Sequence, residues 1–297
     1  DSAACSVAVD GVAGAFPLEP VALDARQSGT TARFLAPLMG LLPAGGVLDG
    51  HQQLRDRPMA DQLESLSVLG AQVTGSDGHL PLRSPGGGAV GGRVRVSSAT
   101  SSQFLSGLLM AGPLFERGLS IEVTDTLVSR PYVDLTVAVM ERFGASVERD
   151  GYRRFSVEAG LGLDGADPMA VARRYAIEPD ASAASYFFAL AAMTRGRIRV
   201  GGLGRAAIQG DMGFLDVLEA MGAAVHQGDT WTEVVGGDLH GVDVDLADIS
   251  DTAPTLAAVA GLLNAASGLI FSHLASPEQR GLWVSHNISD APIQRYV

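Results

Sequence analysis

Arginines stand next to glycine and hydroxyl residues at places where a helix could begin. Arg33 follows Gly29, Thr30 and Thr31 within one helical turn, and Arg55 and Arg57 bracket Asp56 just ahead of Pro58. A guanidinium presents a planar fork of donors that matches carboxylate and phosphate. A helix start adds unpaired backbone N–H groups and about half a positive charge. Ser101-Ser102-Gln103 is the sharpest such start, because two hydroxyls and an amide join the backbone donors. Ser129-Arg130-Pro131-Tyr132 has the form of Asp56-Arg57-Pro58-Met59, with arginine before proline, and Gln209-Gly210-Asp211 takes the same place further on. Asp180 and Asp251 each stand just before a helical stretch. The chemistry these types suit is the gathering of anions, with a carboxylate at hand to take a proton. Each also has a plainer reading: serine as an N-cap, arginine in a surface ion pair, aspartate compensating a helix N-terminus. The six histidines show no metal-ligand spacing, and none is read as catalytic.

These strings fall at matching places because the chain repeats itself about every 75 residues. Leu69-Gly70-Ala71-Gln72-Val73 returns as Phe143-Gly144-Ala145-Ser146-Val147 and as Met221-Gly222-Ala223-Ala224-Val225. An amphipathic stretch precedes each copy, and a helix opening on small polar residues precedes that. The period is too long for most solenoids and predicts one unit of two helices and several strands. The first unit has helices over Gly29–Met39 and Met59–Leu69, a strand at Gly46–Asp49, and a hairpin of Ala71–Val73 with Leu80–Arg83. The second has helices at Ser101–Pro113 and Tyr132–Phe143, a strand at Leu119–Val123 and a hairpin of Ala145–Arg149 with Arg154–Glu158. The third has helices at Ala181–Met193 and Gly213–Met221, with strands at Arg197–Val200, Ala223–His226 and Thr230–Val235. A fourth unit begins at Asp251 with one helix. A glycine-rich stretch and Pro179 predict two domains, 1–177 and a partial 178–297, with an atypical tail at 276–297.

Composition narrows the classes. Hydrophobic residues make up 46% of 297, enough for large cores, and the formal net charge of −12 argues against a nucleic-acid partner. All 21 basic residues are arginine, which excludes Schiff-base chemistry and a Walker lysine. The single cysteine, Cys5, excludes a disulfide framework and reads as a small buried hydrophobe. The longest apolar run, Leu256–Phe271, is interrupted by Asn264 and Ser267 and falls short of the ~18–20 residues a membrane span needs. It is expected to be a buried helix, with no membrane partner. No signal peptide is visible. The start at Asp1 gives the expectation that the native start is missing.

Taken in order, the strings resemble the 5-enolpyruvylshikimate-3-phosphate synthase family. They are Gln27–Arg33, Leu54–Met59, Ser101–Leu105, Ser129–Tyr132, Glu178–Phe187, Ile208–Asp211 and Asp251–Thr255, spread over roughly residues 20–272. The resemblance implies a mixed α/β fold of two domains, each built from βαβαββ units around a pseudo-threefold axis. It implies transfer of the enolpyruvyl group of phosphoenolpyruvate to the 5-hydroxyl of shikimate 3-phosphate, in the route to chorismate and the aromatic amino acids. It also implies a cytoplasmic monomer that uses no metal or organic cofactor. Ser101, Ser102, Gln103 and Ser129 would hold shikimate 3-phosphate, with Tyr132 against its ring. Gly29 and Arg57 would face phosphoenolpyruvate, with Arg33 supporting that loop, Thr30 a further substrate-binding residue and Gln103 touching both ligands. Asp251 would bind the shikimate hydroxyls and help remove the 5-OH proton.

The chain departs from the family pattern. The family's opening Pro-Gly-Ser-Lys-Ser segment, its Arg-x-Lys-Glu-x-x-Arg and His-Arg segments and its terminal lysine have no counterpart here. Arg130 stands where lysine is frequent, and Phe34 where proline is. An internal fragment with little activity of its own is therefore expected. UDP-N-acetylglucosamine enolpyruvyltransferase has a related fold, but its reactive loop cysteine has no counterpart, since Cys5 lies elsewhere. A non-catalytic anion-binding fragment is the alternative of another class. Turnover that depends on phosphoenolpyruvate separates the enzymes from the binding fragment.

Overall fold

The computed structural model describes residues 6–11, 15–97, 102–160 and 174–262, and the backbone of 268–270 and 283–285. Contacts divide the chain into two units. The first comprises 1–98, 103–125 and 136–175; the second comprises 99–102, 126–135 and 176–297. The second thus takes in two short stretches from the N-terminal side of the expected boundary.

Two four-stranded sheets in the first unit share one order. The first holds β1 (Val21–Asp24), β2 (Gly46–Asp49), β3 (Thr74–Ser76) and β4 (His79–Ser84), arranged β1-β2-β4-β3. The second holds β5 (Gly92–Val96), β6 (Leu119–Val123), β7 (Val147–Asp150) and β8 (Arg154–Val157), arranged β5-β6-β8-β7. In each, the first pair is parallel and the other pairs are antiparallel. Parallel neighbours need a crossover, and α1 (Gly29–Leu35) and α4 (Ser102–Ala111) supply it. A second helix then leads to the terminal hairpin: α3 (Ala60–Val68) in one copy, α5 (Arg130–Arg142) in the other. A short extra helix, α2 (Gln52–Arg55), precedes α3. The βαβαββ unit is therefore present twice.

In the second unit, β9 (Arg197–Gly201), β10 (Ala224–Gln227) and β11 (Trp231–Val235) are antiparallel in the order β10-β11-β9. This matches β3-β4-β2, and no described strand takes the place of β1. Helices α6 (Ala181–Met193), α7 (Phe214–Ala220) and α8 (Ala253–Leu262) surround a core of Phe188, Phe214, Leu218, Met221, Val234 and Leu256. Each such side chain stabilises by ~1.5–3 kcal/mol on burial. Strands β12 (Gly268–Ile270) and β13 (Trp283–Ser285) pair with each other; the rest of the 276–297 tail lies outside the described residues.

The repeated Gly-Ala signature is a helix stop. Gly70, Gly144 and Gly222 have φ of 91°, 92° and 110°, a region favourable only to glycine. The following alanine N–H closes back on the helix in every copy: Ala71 to Leu66, Ala145 to Met140 and Ala223 to Leu218, at 2.9–3.0 Å. The glycine N–H bonds Ser67, Glu141 and Glu219 respectively. This is the Schellman pattern, which satisfies the carbonyls a helix end leaves open.

Prolines shorten two predicted helices. Pro37 and Pro113 lack the N–H that an α-helix would need, so α1 and α4 tighten into 3-10 turns at Ala36–Gly40 and Gly112–Leu114. The first hairpin also differs from expectation. Ala71–Val73 is not a strand, and pairing starts at Thr74. Asp77 and Gly78 have φ of 49° and 77°, so the connection is a two-residue turn with both central residues left-handed, the twist-matched hairpin form.

Candidate functional site

The first group of side chains lies in the first unit, around the start of α1. Ser28 caps that helix, its Oγ accepting from Thr31 N–H at 3.1 Å. Arg33 Nη1 donates to Gln103 Oε1 at 2.7 Å, and Gln103 Nε2 donates to Thr30 Oγ1 at 3.0 Å. The Arg33 guanidinium also lies 5.0 Å from the centre of the Phe104 ring, within cation–π range. Its backbone is held too. Pro37 cannot donate to the Arg33 carbonyl, and the buried Gln62 on α3 does so instead, Nε2 to O at 2.7 Å. Gly107 on α4 lets that helix pass close: a Cβ there would stand 2.6 Å from the same carbonyl.

Arg57 completes this group. Its Nη1 stands where a Cβ on Gly29 would come within 2.7 Å, so it lies against the bare backbone of the helix start. Burial, and then the charge of Arg57, lower the Arg33 pKa from its usual value; arginine stays cationic nonetheless. Arg57 has no ion pair among the described residues. Arg57, beside a second guanidinium and a helix N-terminus, is thus a donor suited to an external anion. Arg55, by contrast, is engaged by Asp49, with contacts of 2.9 and 2.6 Å, so the surface-pair reading holds for that one arginine.

The second group lies in the second unit. Tyr132, in the first turn of α5, donates its phenol to Asp251 Oδ2 at 2.6 Å. The Tyr132 phenol oxygen is also 3.5 Å from Asp211 Oδ2. Ser182 donates to that Asp211 oxygen in a short hydrogen bond. Burial first, then the hydrogen bond to Asp251 and the charge of Asp251, push the Tyr132 pKa far above the usual phenol value. Tyr132 is thus a fixed proton donor at neutral pH, while the exposed Asp251 is the open acceptor of the pair. Ser129 precedes this turn with φ 52°, and its carbonyl accepts Tyr132 N–H at 3.1 Å. A left-handed non-glycine residue is strained, and such strain persists where surroundings impose it. Asp248 accepts Arg130 N–H at 3.2 Å, and Pro131 packs against Gly210. Asp180 caps α6 by accepting Ala183 N–H at 3.0 Å, which is the plainer of its two readings.

Of the predicted site residues, Gly29, Thr30, Arg33, Arg57 and Gln103 come together in the first unit, and Ser129, Tyr132 and Asp251 in the second. Ser102 is the first residue of α4 and is buried; Ser101 lies outside the described residues. Sequence reasoning missed the parts played by Asp211, Ser182, Gln62 and Phe104. The Gln209-Gly210-Asp211 string marked the place of Asp211, but nothing in the string shows its burial. Among the described residues no three His, Cys, Asp or Glu side chains gather as a metal site.

The βαβαββ unit, with guanidiniums at a helix start of the first unit and a phenol–carboxylate cluster at helix starts of the second, defines a repeated α/β class of fold. The family model for EPSP synthase (3-phosphoshikimate 1-carboxyvinyltransferase) matches residues 1–270, and the chain belongs to that family. The 3-phosphoshikimate 1-carboxyvinyltransferase of Methanoculleus marisnigri is 43% identical over 258 residues, which are 86% of this chain and 59% of the relative. That of Laribacter hongkongensis is 42% identical over 267 residues, 88% of this chain and 61% of the relative. The solved EPSP synthase of Acinetobacter baumannii shares the fold, with a TM-score of 0.66 at 24% identity, covering 86% of this chain and 57% of that one. The chain thus spans about three fifths of the length of the curated relatives it matches.

Proposed function

We propose that the protein carrying these residues transfers the enolpyruvyl group of phosphoenolpyruvate to the 5-hydroxyl of shikimate 3-phosphate and releases phosphate. The observation that supports this best is the Gly29–Arg33–Arg57–Gln103 group: two guanidiniums at one helix start, in a member of this family. In this reading the hydroxyl oxygen bonds to C2 of phosphoenolpyruvate as a proton reaches C3. Loss of that proton with phosphate then restores the double bond. Arg57, Gly29 and Thr30 meet phosphoenolpyruvate, Arg33 holds Gln103 in place, and Gln103 reaches both ligands. Ser101, Ser102, Ser129 and Tyr132 bind shikimate 3-phosphate. Asp251 takes the 5-OH proton, a general-base role for which Tyr132 orients it.

The 297 residues alone are expected to turn over slowly. They contain no lysine, and the resemblance assigns lysines to this chemistry. Loss of one such group costs on the order of 10² in rate. The reading further takes the protein as a cytoplasmic monomer, a proposal that sedimentation and fractionation would test. No helix among the described residues is long and apolar enough to cross a membrane. The direct test of function is phosphate release by the product of the complete gene. Release that requires both phosphoenolpyruvate and shikimate 3-phosphate supports the proposal. Release that requires UDP-N-acetylglucosamine instead supports the related enzyme, and none with either acceptor supports a binding role alone.

A further inference from the structure

Asp211 is only 5% exposed, and its Oδ1 is buried with no hydrogen-bond partner among the described residues. Its Oδ2 faces two hydroxyls, Ser182 Oγ and Tyr132 Oη. Tyr132 has a single proton, and the 2.6 Å contact commits it to Asp251. The remaining charged neighbours are also unfavourable to an anion. Asp251 and Asp180 both act on Asp211 as negative charges. Arg130, from the start of α5, meets Asp248 through its backbone N–H, and no described arginine forms an ion pair with Asp211. An ionised carboxylate here would have one buried oxygen unsatisfied and two like charges nearby, the arrangement that most disfavours the charged form.

We propose that Asp211 is a positioning residue held as a neutral acid, giving its Oδ2 proton toward Tyr132 Oη so that the Tyr132 proton is directed to Asp251. Proton order then runs one way: Asp211 donates, Tyr132 accepts and donates, Asp251 accepts. Oδ1 becomes a neutral carbonyl oxygen, for which lack of a partner costs far less than for an anion. Burial is the largest influence on the Asp211 pKa and raises it; the Ser182 and Tyr132 hydrogen bonds oppose it, and Asp251 and Asp180 reinforce it. The consequence for Asp251 as a base rests on the function proposed above; the protonation of Asp211 does not.

The test needs no substrate. Aspartate carboxyl carbons of the full chain are labelled with carbon-13, and Asp211 is assigned by the resonance lost in Asp211→Asn. The expected result is a protonated-carboxyl shift at pH 7 that moves to the anionic position only at higher pH. A group whose folded pKa is raised binds more protons folded than unfolded, so its contribution to stability falls as pH rises. Asp211→Asn, a neutral isostere, is therefore expected to fold, to be at least as stable as wild type at pH 7, and to lose that slope. Asp211→Ala is expected to be less stable than Asp211→Asn. An anionic shift at pH 7, failure of Asp211→Asn to fold, or equal destabilisation by Asn and Ala would each overturn the proposal. Absence of turnover in the product of the complete gene, with these results intact, would instead count against the function of the site.

Discussion

Glycine 29 is where the chemistry can be separated from the fold. A methyl group there would meet the end of the flexible Arg57 side chain at 2.7 Å, and the next contact is at 3.8 Å. The fold can yield by turning Arg57 aside, but the guanidinium then leaves the helix start. Gly29→Ala is expected to keep the thermal midpoint of wild type. It is expected to weaken phosphoenolpyruvate binding, measured with shikimate 3-phosphate present, by about tenfold or more, the weight of one charge-assisted hydrogen bond. Unchanged binding would remove Arg57 from the site. Types and spacing alone made Arg33, Arg57, Gln103, Tyr132 and Asp251 readable in the sequence. Asp211 was not, because the hydroxyls that meet it, on Tyr132 and Ser182, lie 79 and 29 residues away along the chain.

At the scale of elements, the helix stops were the most legible feature. Three Gly-Ala copies announced three Schellman ends, and the geometry repeats bond for bond. Gly70→Ala would place a Cβ 2.5 Å from the Gly88 carbonyl, and Gly222→Ala one 2.7 Å from that of Asp238, each at positive φ. Both neighbours are backbone and cannot swing away. Each change is expected to cost more than ~1 kcal/mol, and a denaturant midpoint matching wild type in either variant would contradict the assignment. The short helix α2 was not legible, since Gln52–Arg55 has neither a cap nor a period long enough to read. Its last residue, Arg55, reaches back to Asp49 on β2, and that hydrogen bond, above all, holds the Asp49 carboxyl below its usual range. A depressed folded pKa adds stability above the unfolded value of about 3.9 and loses it as pH falls further. Asp49→Asn should therefore be slightly less stable than wild type at pH 7, with the gap closing below about pH 4. Thermal melts across that range check the sign.

For the molecule as a whole, the period of about 75 residues carried the architecture. Two complete βαβαββ units and the antiparallel part of a third follow from it. Strand β1 escaped the reading because Val21–Asp24 is four residues long and half exposed, too little to distinguish from a linker. The grouping of 126–135 with the second unit was equally hidden, since α5 is one continuous helix in sequence. The central claim is that these repeats present donors for a phosphorylated shikimate despite a net charge of −12, so that affinity comes from local groups. Calorimetric titration of shikimate 3-phosphate into the 297-residue protein tests it most directly, with the Ser101→Ala/Ser102→Ala double variant beside it. The account predicts weak, measurable binding by the wild type, no detectable binding of phosphoenolpyruvate alone, and loss of about tenfold or more in affinity for shikimate 3-phosphate in the variant. Equal binding of shikimate 3-phosphate by variant and wild type would contradict it.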